Sequence, residues 1–316
     1  MGGVSHDECG GHREVGSGAR ETGAVRLRLL FVGAAVIAAL AALAWLALAR
    51  PPRPASPGSP GTAGTPGPPA AADSAAPAGS GLPEPAVERL RVQVLASHPH
   101  DPAAYTQGLV LDGGRLYEST GLYGSSSLRE VDRKSGKVLR RVEVSGAFFA
   151  EGLAKVGERL VQLTWREGKA FVYDAGTFER RAEMDYLGEG WGLCFDGRRL
   201  VMSDGSAQLT FRDPATLAVT GQVQAVLDGQ PVQQLNELEC VDGAAYANVY
   251  QTERIVRIDL ATGRVTAVVD ASGLLTPAER EKAEVLNGIA YDPAKKTFLI
   301  TGKLWPRLFE VRFERE

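Results

Sequence analysis

A small hydrophobic strand followed by a turn returns five times along this chain. The copies are Gly108-Leu109-Val110-Leu111-Asp112-Gly113, Gly152-Leu153-Ala154-Lys155-Val156-Gly157, Gly192-Leu193-Cys194-Phe195-Asp196-Gly197, Leu238-Glu239-Cys240-Val241-Asp242-Gly243 and Gly288-Ile289-Ala290-Tyr291-Asp292. They recur at a spacing of roughly forty-odd residues, the period of an architecture whose units bury their apolar faces against one another. The later half of each unit repeats as well, as an alternating strand ending in Asp: Leu128-Arg129-Glu130-Val131-Asp132, Phe171-Val172-Tyr173-Asp174, Thr210-Phe211-Arg212-Asp213 and Ile255-Val256-Arg257-Ile258-Asp259. Short alternating runs broken by turn pairs read as β-strands. The one short helix expected is Pro277 to Val285, with Thr276 as its cap. Four strands per unit and five units predict an all-β, five-bladed β-propeller. The last unit ends on its third strand, Leu308 to Phe313, so Leu90 to Val94 is expected to supply the fourth and close the ring.

What precedes the repeats has a different character. Leu27 to Ala49 is apolar with Arg28 as its only charge, long enough to cross a bilayer as a helix. Arg13, Arg20, Arg26 and Arg28 gather at its leading end, which orients the N-terminus to the cytoplasm. A tract rich in Pro, Ala, Gly and Ser follows, a composition that packs no core. The expected organisation is a cytoplasmic tail over residues 1–26, a transmembrane signal-anchor helix over 27–49, a linker over 50–86 and the propeller over 87–316. Ala47-Leu48-Ala49 also has the spacing of a signal-peptidase site, so secretion after cleavage at Ala49 stays open. On either reading the folded part lies outside the cytoplasm.

Few functional classes survive the composition. Cys194 and Cys240 fall in apolar strand-like runs and read more readily as buried small hydrophobes than as a disulfide, although a single bridge between them stays open. The four histidines are His6, His12, His98 and His100, all ahead of the repeats, which leaves no His-rich metal site within them. A formal net charge of −3 without a basic cluster in the domain argues against nucleic acid.

The repeats also align chemistry. Gln107, Glu151, Trp191, Glu237 and Asn287 each stand just before a unit's first strand, and the innermost strands of a propeller bring such positions to one channel mouth. The second strands return to that mouth with Trp165, Asp204, Tyr250 and Lys303, and Asn236 adjoins Glu237. Glu151 lies in Phe148-Phe149-Ala150-Glu151-Gly152-Leu153, where apolar neighbours raise a carboxyl pKa towards the range useful for proton transfer. Polar groups at a channel mouth also hold ordered water, but two tryptophans there suit a pocket wall.

Together Tyr105-Thr106-Gln107-Gly108-Leu109, Glu151-Gly152-Leu153, Leu163-Thr164-Trp165, Gly188-Glu189-Gly190-Trp191-Gly192-Leu193, Leu235-Asn236-Glu237-Leu238-Glu239, Leu286-Asn287-Gly288-Ile289-Ala290 and Thr301-Gly302-Lys303-Leu304-Trp305-Pro306 resemble the glutamine cyclotransferase family of plants and bacteria. The resemblance spans about Leu90 to Phe313. It implies a five-bladed propeller that converts an N-terminal glutaminyl residue of a peptide to pyroglutamate with release of ammonia. It further implies no cofactor, no catalytic metal, peptide or protein substrates with N-terminal Gln, and a monomer. Carried over by position, Glu151 is the catalytic acid/base, and Gln107, Trp165, Trp191, Asn236, Tyr250 and Lys303 line the substrate site. Tyr250 departs from the family, which often has Trp there.

In the expected mechanism the α-amine attacks the side-chain amide carbon while the chain is held in a near-ring geometry. Glu151 takes the amine proton and returns it to the departing nitrogen, and Lys303, Asn236 or Gln107 stabilises the oxyanion. Two other readings remain: a non-catalytic exported propeller that binds peptide or protein on the same rim, and a calcium-dependent lactonase-like propeller using Glu151, Asp204, Glu239 and Asn287.

Overall fold

The computed structural model describes residues 85–316. The expected cytoplasmic tail, the membrane helix over 27–49 and nearly all of the linker lie outside the described residues. No helix among the described residues is long and apolar enough to cross a membrane.

Strand β1 (Glu88–Pro99) is followed by three antiparallel four-stranded meanders. The first is β2–β5 (Thr106–Asp112, Arg115–Thr120, Ser127–Val131, Val138–Glu143), and the second is β6–β9 (Ala150–Val156, Arg159–Thr164, Lys169–Asp174, Arg180–Asp185). The third is β10–β13 (Leu193–Phe195, Leu200–Met202, Gln208–Arg212, Val219–Gln224), and a small hairpin, β14–β15 (Val226–Leu227, Gln230–Pro231), leads out of it. Next come β16–β19 (Leu235–Val241, Ala244–Val249, Arg254–Asp259, Val265–Asp270), the single-turn helix α1 (Pro277–Arg280), and β20–β22 (Leu286–Asp292, Thr297–Gly302, Arg307–Arg315).

The last seven long strands and β1 share one eight-stranded sheet, in the order β16-β17-β18-β19-β1-β22-β21-β20. Strand β1 therefore completes the last meander, as expected, pairing antiparallel with β22 from Leu90 opposite Arg315 to Pro99 opposite Arg307. It also pairs parallel with β19, Glu88 opposite Ala267 to Arg91 opposite Asp270, a contact that the repeat did not announce.

In the first three meanders the last strand, β5, β9 or β13, is the most exposed. Strands β2 and β6 are almost wholly buried at their leading residues, whereas β5 and β13 alternate with solvent, as one-sided edge strands do. The core consists of five apolar layers between neighbouring meanders. Leu153 and Phe171 meet Tyr117 and Leu128 in one layer, Leu193 and Leu200 meet Val161 and Val172 in the next, and Leu238 and Ala247 meet Val201 and Phe211 in the third. Ile289 and Ile300 meet Ile255 and Val269 in the fourth, and Leu299 and Leu308 meet Leu109 and Leu116 in the fifth. The last layer returns to the first meander, so the packing runs full circle.

This closure explains the glycine that opens most repeats. A Cβ at Gly152 would come within 2.5 Å of the Leu193 amide nitrogen, and one at Gly192 within 2.0 Å of the Asn236 carbonyl oxygen. Any side chain there would push the innermost strands apart. The Glu237 carboxylate, fully buried, accepts the Leu109 N–H at 3.1 Å and the Ile289 N–H at 2.7 Å, cross-linking three meanders near their common axis. Its two oxygens are thereby occupied in holding strands, not offered at a rim.

Two expectations require correction. Cys194 and Cys240 form a disulfide that joins β10 to β16, the alternative left open beside the favoured reading of both as buried hydrophobes. Helix α1 stops at Arg280 instead of reaching Val285, although its start is as expected: Thr276 accepts the Glu279 N–H in a capping box. The chain leaves the helix because the Glu284 N–H donates to the Lys303 carbonyl at 2.8 Å and the Lys303 N–H to the Val285 carbonyl at 2.9 Å. A β-type exchange with the Lys303 turn thus claims the backbone that a longer helix would have used.

Candidate active site

Four first strands break register at the same level: β2 between Thr106 and Gly108, β6 between Ala150 and Leu153, β16 between Leu235 and Leu238, and β20 between Leu286 and Ile289. Gln107, Glu151, Asn236, Glu237 and Asn287 therefore sit on β-bulges inside these strands, not just ahead of them as expected. A bulge frees a residue from the ladder and re-aims its side chain. Trp191 alone stands ahead of its strand, held by its N–H to the Ser203 carbonyl at 3.0 Å.

Glu151 is only 5% exposed. Gln107 Nε2 donates to Glu151 Oε1 at 3.0 Å, and Asn287 Nδ2 donates to Gln107 Oε1 at 3.1 Å. The Asn287 contact fixes the sense of the Gln107 amide, so its nitrogen faces the carboxylate. Asn287 Nδ2 also donates to the Thr106 carbonyl at 3.0 Å, pinning the bulge. Burial drives the Glu151 pKa well above the ordinary carboxylate value; the Lys303 cation pulls it down, while Glu189 and Glu167 add to the rise.

Lys303, 4% exposed, follows β21. Its Nζ lies 4.8 Å from the Tyr105 ring centre and 5.0 Å from that of Tyr250, a cation between two aromatic faces. Among the described residues no carboxylate comes within 4.0 Å of it, and no acceptor takes its N–H groups. Burial lowers its pKa, opposed by the charges of Glu151 and Glu284.

The walls are aromatic. Trp165 is placed by its N–H to the Phe149 carbonyl, and its ring meets Phe149 edge-on at 5.6 Å, which in turn meets Tyr105 and Tyr123 at 6.1 and 5.4 Å. Opposite, Trp191 meets Tyr250 edge-on at 5.6 Å. One carboxylate unites the two sides: Glu189 Oε2 accepts Trp165 Nε1 at 2.8 Å and Trp191 Nε1 at 3.1 Å. Arg166 donates to Glu189 Oε1 at 3.0 Å and stacks 3.7 Å over Trp165.

Contacts thus link Lys303 to Tyr250, Tyr250 to Trp191, and Trp191 through Glu189 to Trp165, while the hydrogen-bonded Gln107–Glu151 pair is coupled to Lys303 by charge. Asn236 is buried on its bulge, and its side-chain oxygen has no hydrogen-bond partner among the described residues. Asp204 is not part of these contacts. Its carboxylate is exposed and caps its own turn, accepting from the Ser206 N–H at 3.0 Å and the Ser206 hydroxyl at 2.6 Å. Glu239 belongs to another level of the inner strand, where it accepts the Tyr291 N–H at 2.8 Å, and burial raises it to about 8. Among the described residues no three His, Cys, Asp or Glu side chains form a metal-binding group.

Glu189, Tyr105 and Phe149 were not singled out from the sequence. All three fall inside the motifs quoted above, and the glycines flanking Glu189 are the one signal that could have found it. A cleft of about 660 Å³ is lined by Tyr250 together with Glu253, Arg280, Glu284 and Leu286.

A buried carboxyl poised to gain or lose a proton, a buried ammonium with free N–H groups and walls of aromatic rings suit one task. Groups of these kinds can bind a small amide-bearing body, shuttle a proton across it and stabilise developing negative charge on oxygen.

Comparison with known proteins agrees. A family model described as glutamine cyclotransferase matches residues 69–313. The glutaminyl-peptide cyclotransferase of Arabidopsis thaliana is 40% identical over 230 residues, 71% of this chain and 72% of that protein. The crystal structure of Myxococcus xanthus glutaminyl cyclase is 43% identical, covers 73% of this chain and 100% of its own, and superposes with a TM-score of 0.67.

Proposed function

This chain belongs to the glutamine cyclotransferase family and is a glutaminyl-peptide cyclotransferase, and we propose that Glu151 carries its proton transfers while Lys303 receives the oxyanion. The observation that carries this assignment is a buried carboxyl, held through one oxygen by Gln107, in the same site as a buried ammonium that no acceptor among the described residues engages.

The substrate's terminal Gln folds between Trp165 and Trp191 so that its α-nitrogen approaches the side-chain amide carbon. As the new C–N bond forms, the amide oxygen becomes an oxyanion and the attacking nitrogen acquires positive charge. Glu151 removes that proton through the oxygen that Gln107 leaves free. It then protonates the amide nitrogen, the C–N bond to that nitrogen breaks, and ammonia leaves with the lactam formed. A carboxyl pushed upward by burial serves both directions near neutral pH, since neither transfer is steeply uphill.

Of the three donors expected for the oxyanion, Gln107 is engaged by Glu151 and positions it. Lys303 keeps its N–H groups free, and its charge acts in a mostly dry setting. Asn236 is the second donor. The cleft beside Tyr250 leads the rest of the peptide away from the ring-forming atoms.

The five four-stranded meanders are the blades of a propeller, with β1 as the closing strand of the fifth. The circular run of apolar layers supports this count. The enzyme works outside the cytoplasm as a monomer, tethered through residues 27–49, and the Cys194–Cys240 disulfide supports an oxidising compartment. Retention in the membrane fraction tests the tether, and a mature N-terminus at Arg50 would replace it with secretion. The activity itself is tested by ammonia release from a short peptide with N-terminal Gln, with and without EDTA, against an N-acetylated control. Release from the free peptide alone, unchanged by EDTA, is expected.

A further inference from the structure

His100 and Glu118 form a buried pair that the cyclisation chemistry does not use. His100 Nε2 lies 2.9 Å from Glu118 Oε1, and Nδ1 lies 2.8 Å from the Trp305 carbonyl oxygen. A carbonyl only accepts, so Nδ1 carries a proton; a carboxylate only accepts, so Nε2 carries one too. Burial opposes both charges, yet each partner's charge favours the other's, raising the His100 pKa and lowering that of Glu118, which makes the pair an imidazolium and a carboxylate.

Each partner of this pair reaches a different half of the site. Glu118 Oε1 also accepts the Thr106 hydroxyl at 2.8 Å, and Thr106 heads the bulge that presents Gln107 to Glu151. On the other side, Trp305 closes the turn that carries Lys303. That turn is clasped by the segment beginning at His100: the His100 N–H donates to the Pro306 carbonyl at 3.0 Å, and the Leu304 N–H to the Ala104 carbonyl at 2.8 Å.

We propose that the buried His100–Glu118 ion pair is a positioning device of the active site, one that sets the Gln107 bulge and the Lys303 turn at a fixed separation. It touches no substrate, and it rests on the assignment of Glu151 and Lys303 to the reaction. The acid/base and the oxyanion donor come from different meanders, and the pair is a short, nearly solvent-free tie between the segments that aim them. A shift of about 1 Å between such groups costs on the order of 100-fold in rate. The other charges facing the pair are Asp101 and Arg129, whose Nη1 lies 3.9 Å from Glu118 Oε2, and from the Lys303-bearing segment the Thr301 hydroxyl lies 3.4 Å from His100 Nδ1. Burial opposes the ring's charge, but Glu118 outweighs it and holds the His100 pKa above 6.5.

The test compares His100→Gln and Glu118→Gln in the full chain, with Glu151→Gln measured alongside. Both positioning variants are expected to lower kcat at least about tenfold with KM changed less than about threefold, since the groups they misplace act in the transition state. In the wild-type protein the His100 ring, assigned by the signal lost in His100→Gln, is expected to titrate with a midpoint above 6.5 by ¹⁵N-detected NMR. Wild-type kcat in both variants, or a ring midpoint at or below 6.5, overturns the inference. Should one variant fail to fold, the other and the ring titration still decide. An inactive Glu151→Gln beside unimpaired His100 and Glu118 variants sinks this inference alone; an active Glu151→Gln sinks the site assignment beneath it.

Discussion

Lys303→Met separates what the lysine does for catalysis from what it does for the fold. The substitution keeps an unbranched apolar stem against Tyr105 and Tyr250 and removes only the charge. Loss of one preorganised oxyanion donor costs about 3 kcal/mol, on the order of 10²–10³ in kcat. A second effect follows from the electrostatics of Glu151. Its folded-state pKa already stands above the ordinary value because of burial, and the Lys303 charge is the influence that lowers it. Without that charge the pKa climbs further. Because Glu151 acts first as a base, it must be ionised, so the acidic limb of the kcat profile moves to higher pH. Stability should not follow activity: the mutation removes a buried ammonium that has no ion pair among the described residues, and the melting temperature is expected to hold or rise. Ammonia-release kinetics from about pH 5 to 9, with a thermal melt of the same sample, check all three. Turnover within about threefold of wild type, or an acidic limb displaced to lower pH, would refute the reasoning.

Three further variants probe separate parts of the account. Glu189→Ala removes the shared acceptor of both indoles and is expected to raise KM roughly tenfold, about 1.4 kcal/mol, with a changed tryptophan emission; steady-state kinetics and fluorescence check it. Cys194→Ser with Cys240→Ser opens a loop of sequence separation 46, worth about 4 kcal/mol in chain entropy, and should lower the melting temperature by roughly 10 °C while activity at 25 °C persists. Asp204→Ala is expected to leave turnover unchanged, because its carboxylate only caps its own turn; a large loss there would favour a cation-centred site.

The β architecture was legible because glycine and turn pairs recur where inner strands crowd one another, a steric demand that writes itself into the sequence at Gly108, Gly152 and Gly192. Glu151, Trp165, Trp191 and Lys303 were legible for a related reason, standing at equivalent points of successive units. The bulges that aim Gln107 and Glu151 were not, since a register break shows only when the partner strand is known. Glu189 escaped because its role depends on two indoles converging from different segments. The disulfide stayed undecided for the same cause: Cys194 and Cys240 lie on equivalent first strands, and only their side-by-side packing brings the sulfurs together. The extent of α1 was misjudged because the competing partner, the Lys303 turn, is remote in sequence. His100 stands ahead of the first repeat in the sequence, yet it is tied to Glu118 within that repeat and to Trp305 near the end of the last.

The most direct test of the central claim is ammonia release from a peptide with N-terminal Gln by Glu151→Gln, with folding verified by its thermal melt. The substitution keeps the shape and the Gln107 contact but transfers no proton. The account predicts a folded protein whose turnover falls by at least about 10²-fold, the weight of a positioned acid/base. A folded Glu151→Gln protein that releases ammonia at a near wild-type rate would contradict it.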